Sequence, residues 1–230
     1  MFNFVLLFRN YGMLLVTSLL FVILAVTAAG FAAERSVRNI LDQQSMVIIA
    51  ASFMTIAIIS GNFDVSVSAI FVTAPLFGLR VENLTGNVFL AVATALAVGL
   101  LMGAINGFIV TRLKINSFIG TLATSFMFFG AGFLVSSRSL RRPESDVYRL
   151  IARSRFLGLT SATWIAIGVV IVATILLSRT RFGRNVFAVG GNMEAARLAG
   201  VAVNRVQTTA FLLLGVAAAL AGVLNSSRSI

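Results

Sequence analysis

Residues 180–205 read TRFGRNVFAVGGNMEAARLAGVAVNR, a polar island between two apolar runs, and the nature of those runs decides the fold. Within the island Asn192 is a good helix N-cap, Glu194 falls in the first turn, Arg197 in the last, and Gly200 where a left-handed C′ residue belongs. These signals predict one short helix over residues 193–199. A helix of about two turns is marginal alone in water, because nucleation costs more than so few hydrogen bonds return. It therefore needs a surface to lie on. That surface is either the membrane interface and the chain's own spans, or a soluble partner that grips the helix.

Composition settles what flanks the island. The chain is 59% hydrophobic and 11% charged, with a mean hydropathy of +1.01, whereas about a quarter of a soluble domain is charged. The expected class is all-α, a polytopic transmembrane bundle forming a single domain over residues 1–230. The net charge of +11 would suggest nucleic acid in a soluble protein. Here the arginines cluster in loops between apolar runs, where their simpler job is to hold those loops at lipid headgroups, so no nucleic-acid partner is expected. Cysteine and histidine are both absent, which excludes a disulfide framework, a thiolate or imidazole metal site and histidine-dependent acid–base chemistry. No cofactor, no metal and no catalytic residue is expected.

About seven spans follow from the apolar runs: residues 13–31, 45–60, 65–79, 88–110, 117–135, 162–178 and 207–224. The first imitates a signal peptide, with TAAGFAAER after its apolar core, but its uncharged window is long enough to cross a bilayer, so it is read as retained. Around residues 61–68, GNFDVSVS embeds a formal charge between apolar runs, and the uncharged sequence that follows is short for a full crossing. Glycine, polar side chains and a shortened hydrophobic run together predict a broken helix, with Gly61, Asn62, Asp64 and Ser66 as pathway candidates. An acid at membrane depth must be paired, hydrated or capping, and Asp64 and Ser66 are placed to cap a restarting helix. The other reading is an interfacial turn between two ordinary spans. In the fourth span Gly99, Gly103 and Gly107 recur at every fourth residue, a groove for a neighbouring helix, with Asn106 either cross-linking helices or facing a path. Ser117, Thr121, Thr124 and Ser125 share one side of the fifth span and should face protein or water, so Thr121 joins the pathway candidates.

The run GRNVFAVGGNMEAARLAGV resembles the cytoplasmic coupling segment of sugar importer permeases of the ATP-binding cassette type, the ribose-permease-like family. The segments ISGNFDVSVSAI and INSFIGTLAT are similar to further signatures of that family, with departures at Asn62, Ser68 and Ala69. The resemblance implies that Gly190, Gly191, Asn192, Glu194, Ala195, Ala196, Arg197, Leu198 and Gly200 form a joint with an ATP-binding subunit. It also implies a periplasmic substrate-binding protein, a second permease copy in a homo- or heterodimer, surrounding lipid, and a place in the cell inner membrane. Family members usually carry further spans beyond those found here, so the expectation is a permease lacking its C-terminal part.

Placing the coupling segment in the cytoplasm puts the Arg112/Lys114 turn inside, as the positive-inside bias asks, and the arginine-rich loop of residues 136–161 outside, against it. Arg138, Arg141 and Arg142 then become candidates for docking an acidic patch on the binding protein. No phosphate-binding loop occurs, so ATP hydrolysis belongs to a separate subunit and the chain is not an enzyme. Two rival readings stand beside this one. A retinal-type receptor needs an intramembrane lysine, and the only lysine, Lys114, sits in a basic turn. An ion-coupled secondary transporter would use Asp64 to bind the driving cation.

Overall fold

The computed structural model describes residues 4–136 and 143–228. Their helices are α1 (Phe4–Thr27), α2 (Glu34–Ile59), α3 (Val67–Thr85), α4 (Val88–Thr111), α5 (Ser117–Val135), α6 (Asp146–Arg153), α7 (Ser161–Arg179), α8 (Arg181–Gly191), α9 (Met193–Leu198) and α10 (Val203–Arg228). A minimal hairpin of β1 (Arg155–Phe156) and β2 (Leu159–Thr160) precedes α7. Six helices, α2 to α5, α7 and α10, are long and apolar enough to cross a membrane, and α1 carries a shorter apolar stretch over Tyr11–Thr27. The chain is thus a polytopic helical bundle. The arginines Arg138, Arg141 and Arg142 lie outside the described residues.

Two compact units divide the chain, Met1–Gln43 and Gln44–Ile230. In the first, the Tyr11–Thr27 stretch of α1 is apolar and exposes Leu14, Leu19 and Val26, as a helix solvated by lipid does. Phe21 and Phe31 stack edge to face across its end, with ring centroids 5.4 Å apart.

The second unit is built on α10. Its partner α4 offers the predicted glycine groove: a Cβ on Gly99 would stand 2.4 Å from Ala219 Cβ, and one on Gly103 would stand 2.4 Å from the Phe211 carbonyl. Gly215 answers from the other side, where an added Cβ would come within 2.2 Å of the Gly99 carbonyl. The two backbones therefore touch, running antiparallel, which only small residues permit. Helix α3 packs on α10 by another route. Pro75 has no N–H for the carbonyl four residues earlier, that of Phe71, and this carbonyl lies against Gly222, where a Cβ would meet it at 2.0 Å.

These contacts fix directions. Helix α3 runs alongside α10, since Ala69 and Ile70 cluster with Ala218 and Ala219 while Leu79 clusters with Val223. Helix α2 runs against α10, because Gln207, near the start of α10, bonds Ser60, just past the end of α2. The chain therefore reverses between Ile59 and Val67. Helix is interrupted where expected, but the helix that restarts is a full span of 19 residues. It extends past Leu79 because Glu82, though buried, has donors for its carboxyl group: the amides of Glu144 (3.2 Å) and Ser145 (2.6 Å) and the Asn83 side chain (3.1 Å). Those two amides open α6, a short amphipathic helix inside the arginine-rich loop of residues 136–161. Tyr148 anchors it, fully buried, 2.9 Å from Ser226 Oγ on α10.

Candidate functional site

One end of the second unit gathers the polar residues singled out in the sequence. Helix α2 ends in a Schellman motif: the Asn62 amide donates to the Ala57 carbonyl (3.0 Å) and the Gly61 amide to Ile58 (2.9 Å). Gly61 adopts φ +85°, the left-handed conformation that glycine takes without strain. The buried Asn62 side chain folds back on the Ser60 carbonyl and hydroxyl, and Gln207 Nε2 donates to that same carbonyl at 3.2 Å.

Asp64 then turns inward. It is 1% exposed, and its carboxyl group accepts three hydrogen bonds: Oδ1 from the Ser66 amide (2.8 Å) and hydroxyl (2.7 Å), and Oδ2 from Asn106 Nδ2 (3.1 Å). Asn106, fully buried, also donates to Ser66 Oγ at 2.7 Å and accepts from Thr124 Oγ1 at 2.7 Å. Thr121 accepts from the Val65 amide at 2.9 Å, and Ser117 from the Phe63 amide at 3.2 Å. Every one of these side chains is bonded within the protein, so the knot fastens the reversal to α4 and α5. Ser66 departs from expectation. Its side chain makes no cap bond to α3; the capping of the freed amide falls to Asp64, and the Ser66 hydroxyl becomes the bridge between Asp64 and Asn106.

The hydroxyl stripe of α5 signalled Thr121 and Thr124 because residues three and four apart share a face. Ser60 and Gln207 were missed, since each stands at the margin of an apolar run where a polar residue reads as a boundary. Glu82 was missed because its amide donors come from a loop 62 residues away.

Helices α8 and α9 occupy the same end. Asn192 caps α9, its Oδ1 accepting from the Ala195 amide at 2.9 Å. The helix stops in a second Schellman motif, with Gly200 N bonded to Arg197 O (3.0 Å), Val201 N bonded to Ala196 O (2.9 Å) and Gly200 at φ +83°. Of its six residues only Ala196 is buried; Glu194, Ala195 and Arg197 are exposed and Leu198 is 86% exposed. Gly190 and Gly191 lie in α8 instead, at its C-terminal end. A Cβ on Gly190 would stand 1.8 Å from the Ile59 carbonyl, so the backbone of α8 rests directly on the last residue of α2; Gly191, one residue on, faces open space. Among the described residues no group of three or more acidic, histidine or cysteine side chains is placed to hold a metal.

Comparison with known proteins identifies the family. Residues 36–230 match the family described as branched-chain amino acid transport system / permease component. The L-arabinose transport system permease protein AraH of Escherichia coli K12 is 36% identical over 227 residues, 99% of this chain and 69% of that protein. The ribose import permease protein RbsC of the same organism is 30% identical over 213 residues, 91% of this chain and 66% of its own length. The fructose import permease protein FruG of Bifidobacterium longum is 29% identical over 198 residues, 82% of this chain and 58% of that protein. No solved structure matches the chain. The chain belongs to the permease-component family: it is a multi-pass inner-membrane subunit of an ATP-binding cassette importer, a transport protein that works with an ATP-binding subunit and a substrate-binding protein rather than an enzyme.

Proposed function

We propose that this permease imports a monosaccharide and that α9 is the element its ATP-binding subunit grips. The solute class rests on the relatives, whose names specify L-arabinose, ribose and fructose, although the family description mentions branched-chain amino acids. The observation that carries the coupling reading is the exposure of α9. The helix is capped at both ends by its own chain yet leaves all but one of its residues uncovered, including the apolar Leu198. A short helix so displayed offers shape, an apolar knob and two charges to a groove on a partner. ATP-driven closure moves the membrane helices only so far as that partner contacts α9 differently in its two nucleotide states.

On this reading α9 and the Asp64 knot face the cytoplasm, two permease chains enclose the path in a homo- or heterodimer, and residues 1–230 act as one permease domain. Arg138, Arg141 and Arg142 stay candidates for steering a periplasmic binding protein. Asp64 serves as the fastener of a turn, which leaves an ion-coupled mechanism without support: its carboxyl oxygens are already occupied by protein donors.

Co-purification of the chain with its ATP-binding subunit tests the coupling role. Replacing Glu194 and Arg197 together by alanine should release the subunit while the permease stays folded, and an undisturbed complex would refute it. Uptake of labelled arabinose, ribose and fructose, with ATP maintained and the ion gradient collapsed, tests the solute. Import of a branched-chain amino acid in place of all three would overturn the sugar assignment.

A further inference from the structure

The ends of α4 and α10 that lie nearest the Asp64 knot enclose a cleft of about 340 Å³, and the function described so far makes no use of it. Arg112 stands on one wall and Arg205 on the other, both exposed. Lys114 joins them from the following turn, its Nζ donating to the Asn204 side chain at 3.3 Å, and Asn204 also lines the cleft. Neither ion pair found among the described residues involves any of these three cations, so no carboxylate neutralises them there. Hydroxyls complete the floor. Thr111 gives its proton to the Gly107 carbonyl (2.7 Å), so Thr208, 3.0 Å away, donates to Thr111, while the Thr209 hydroxyl has no partner among the described residues.

The chemistry of that lining selects an anion with several oxygens: two guanidinium groups and a free hydroxyl donor surround a space too small for a folded partner, and the Lys114 ammonium stands beside it on Asn204. The surroundings select its source. Below the cleft, α4 presents Phe108, Ile105 and Leu101 at helical spacing, and they are 55%, 36% and 61% exposed. An apolar stripe running from the membrane core into a basic pocket at the ends of two spans suits a molecule with a phosphate at one end and hydrocarbon at the other. We propose that this cleft binds the headgroup phosphate of an anionic phospholipid, with an acyl chain laid along the α4 stripe. Inorganic phosphate or a nucleotide would meet the same cations but gain nothing from the stripe.

The test uses the full chain in detergent, observed by native mass spectrometry with phosphatidylglycerol or phosphatidylcholine added. Phosphatidylglycerol should be retained and phosphatidylcholine lost. Replacing Arg112 and Arg205 together by glutamine should weaken phosphatidylglycerol retention by about 30-fold, the worth of two basic side chains at an anionic headgroup layer. Equal retention of the two lipids, or unchanged retention by the double variant, overturns the proposal. So does displacement of the lipid by millimolar inorganic phosphate, which would make the cleft a phosphate site. Should the double variant misfold, a photoactivatable phosphatidylglycerol on the wild type reads the same contact. Its label should concentrate in the peptides spanning residues 104–112 and 204–209, and a label spread evenly over the lipid-facing helices would refute the assignment.

Discussion

The Asp64 knot makes a prediction that depends on counting protons rather than on burial. Asp64→Ala strands the Ser66 amide, the Ser66 hydroxyl and one Asn106 N–H, three donors in a site that is closed to water. At about 1–3 kcal/mol for each unsatisfied group, and less than additively for neighbours, the loss should be on the order of 3–5 kcal/mol. Asp64→Asn should cost less. Its new NH₂ first faces the NH₂ of Asn106, but a flip of the Asn106 amide turns its oxygen toward residue 64 and its nitrogen toward Thr124. Thr124 can accept there because its own proton has an alternative acceptor in the Thr121 carbonyl, 3.1 Å away. The flip also turns the Asn106 oxygen toward Ser66 Oγ, 2.7 Å away, and the single Ser66 proton cannot serve both that oxygen and the one on residue 64, so one bond is lost and the cost should be about 1–3 kcal/mol. Asn106→Asp has no such escape. It sets two carboxyl groups about as close as the present 3.1 Å bond and should cost more than about 3 kcal/mol. Combining Asp64→Asn with Asn106→Asp exchanges the donor and acceptor roles between the two residues and should recover part of that loss, the Ser66 hydroxyl still lacking the donor that Asn106 gave it. The assay is unfolding of the purified protein in mixed micelles with rising SDS, read as a free-energy difference for each variant. If Asp64→Asn were as damaging as Asp64→Ala, or if the double exchange failed to rescue Asn106→Asp, the hydrogen-bond inventory would be wrong.

Gly190→Ala drives a methyl group against the Ile59 carbonyl and should cost about 1–3 kcal/mol, whereas Gly191→Ala, with open space beside it, should be within about 1 kcal/mol of wild type in the same unfolding assay. Asn192→Ala removes the α9 cap, worth about 1 kcal/mol, and should raise amide exchange at Ala195 several-fold while leaving global stability nearly unchanged. Glu82→Gln exchanges one carboxyl oxygen for a donor that faces a backbone N–H. It should loosen the start of α6 by about 1–3 kcal/mol, seen as faster exchange at Glu144 and Ser145.

The sequence made the helical elements legible because hydropathy and caps are local. Asn192 and Gly200 bracket α9 within a residue of the predicted bounds, and the glycines of α4 announced a close neighbour. What it concealed was partnership across long separations. Nothing near residue 64 reveals that Asn106 and Thr124 will meet it, and nothing near residue 82 names the Glu144 amide as a donor. The count of uncharged residues after Asp64 stopped at Arg80 and so suggested a half-helix, and burying Glu82 two residues on would ordinarily end a span. A loop that supplies two amides removes that penalty and lets the span continue. Gly190 is a further case: as a glycine in a helix it reads as flexibility or as part of a joint, and only its neighbour shows that it is there for contact.

That contact bears on how a pull at α9 would travel under the proposed coupling role. A side chain between α8 and α2 could change rotamer and absorb a displacement, but Gly190 leaves backbone against backbone, which has no torsion to give. Movement of α8 toward α2 must therefore move Ile59. Ser60, the next residue, is tied to α10 through Gln207, and four residues later Asp64 is tied to α4 and α5 through Asn106 and Thr124. Between those two ties stands Gly61, held at φ +85° with open space where a side chain would project. The reversal is thus a short, doubly anchored strut whose one permissive residue lies between its anchors. Helix α9, joined to α8 at Asn192, is the free end of the same lever, and its exposed face is where force from another protein would enter.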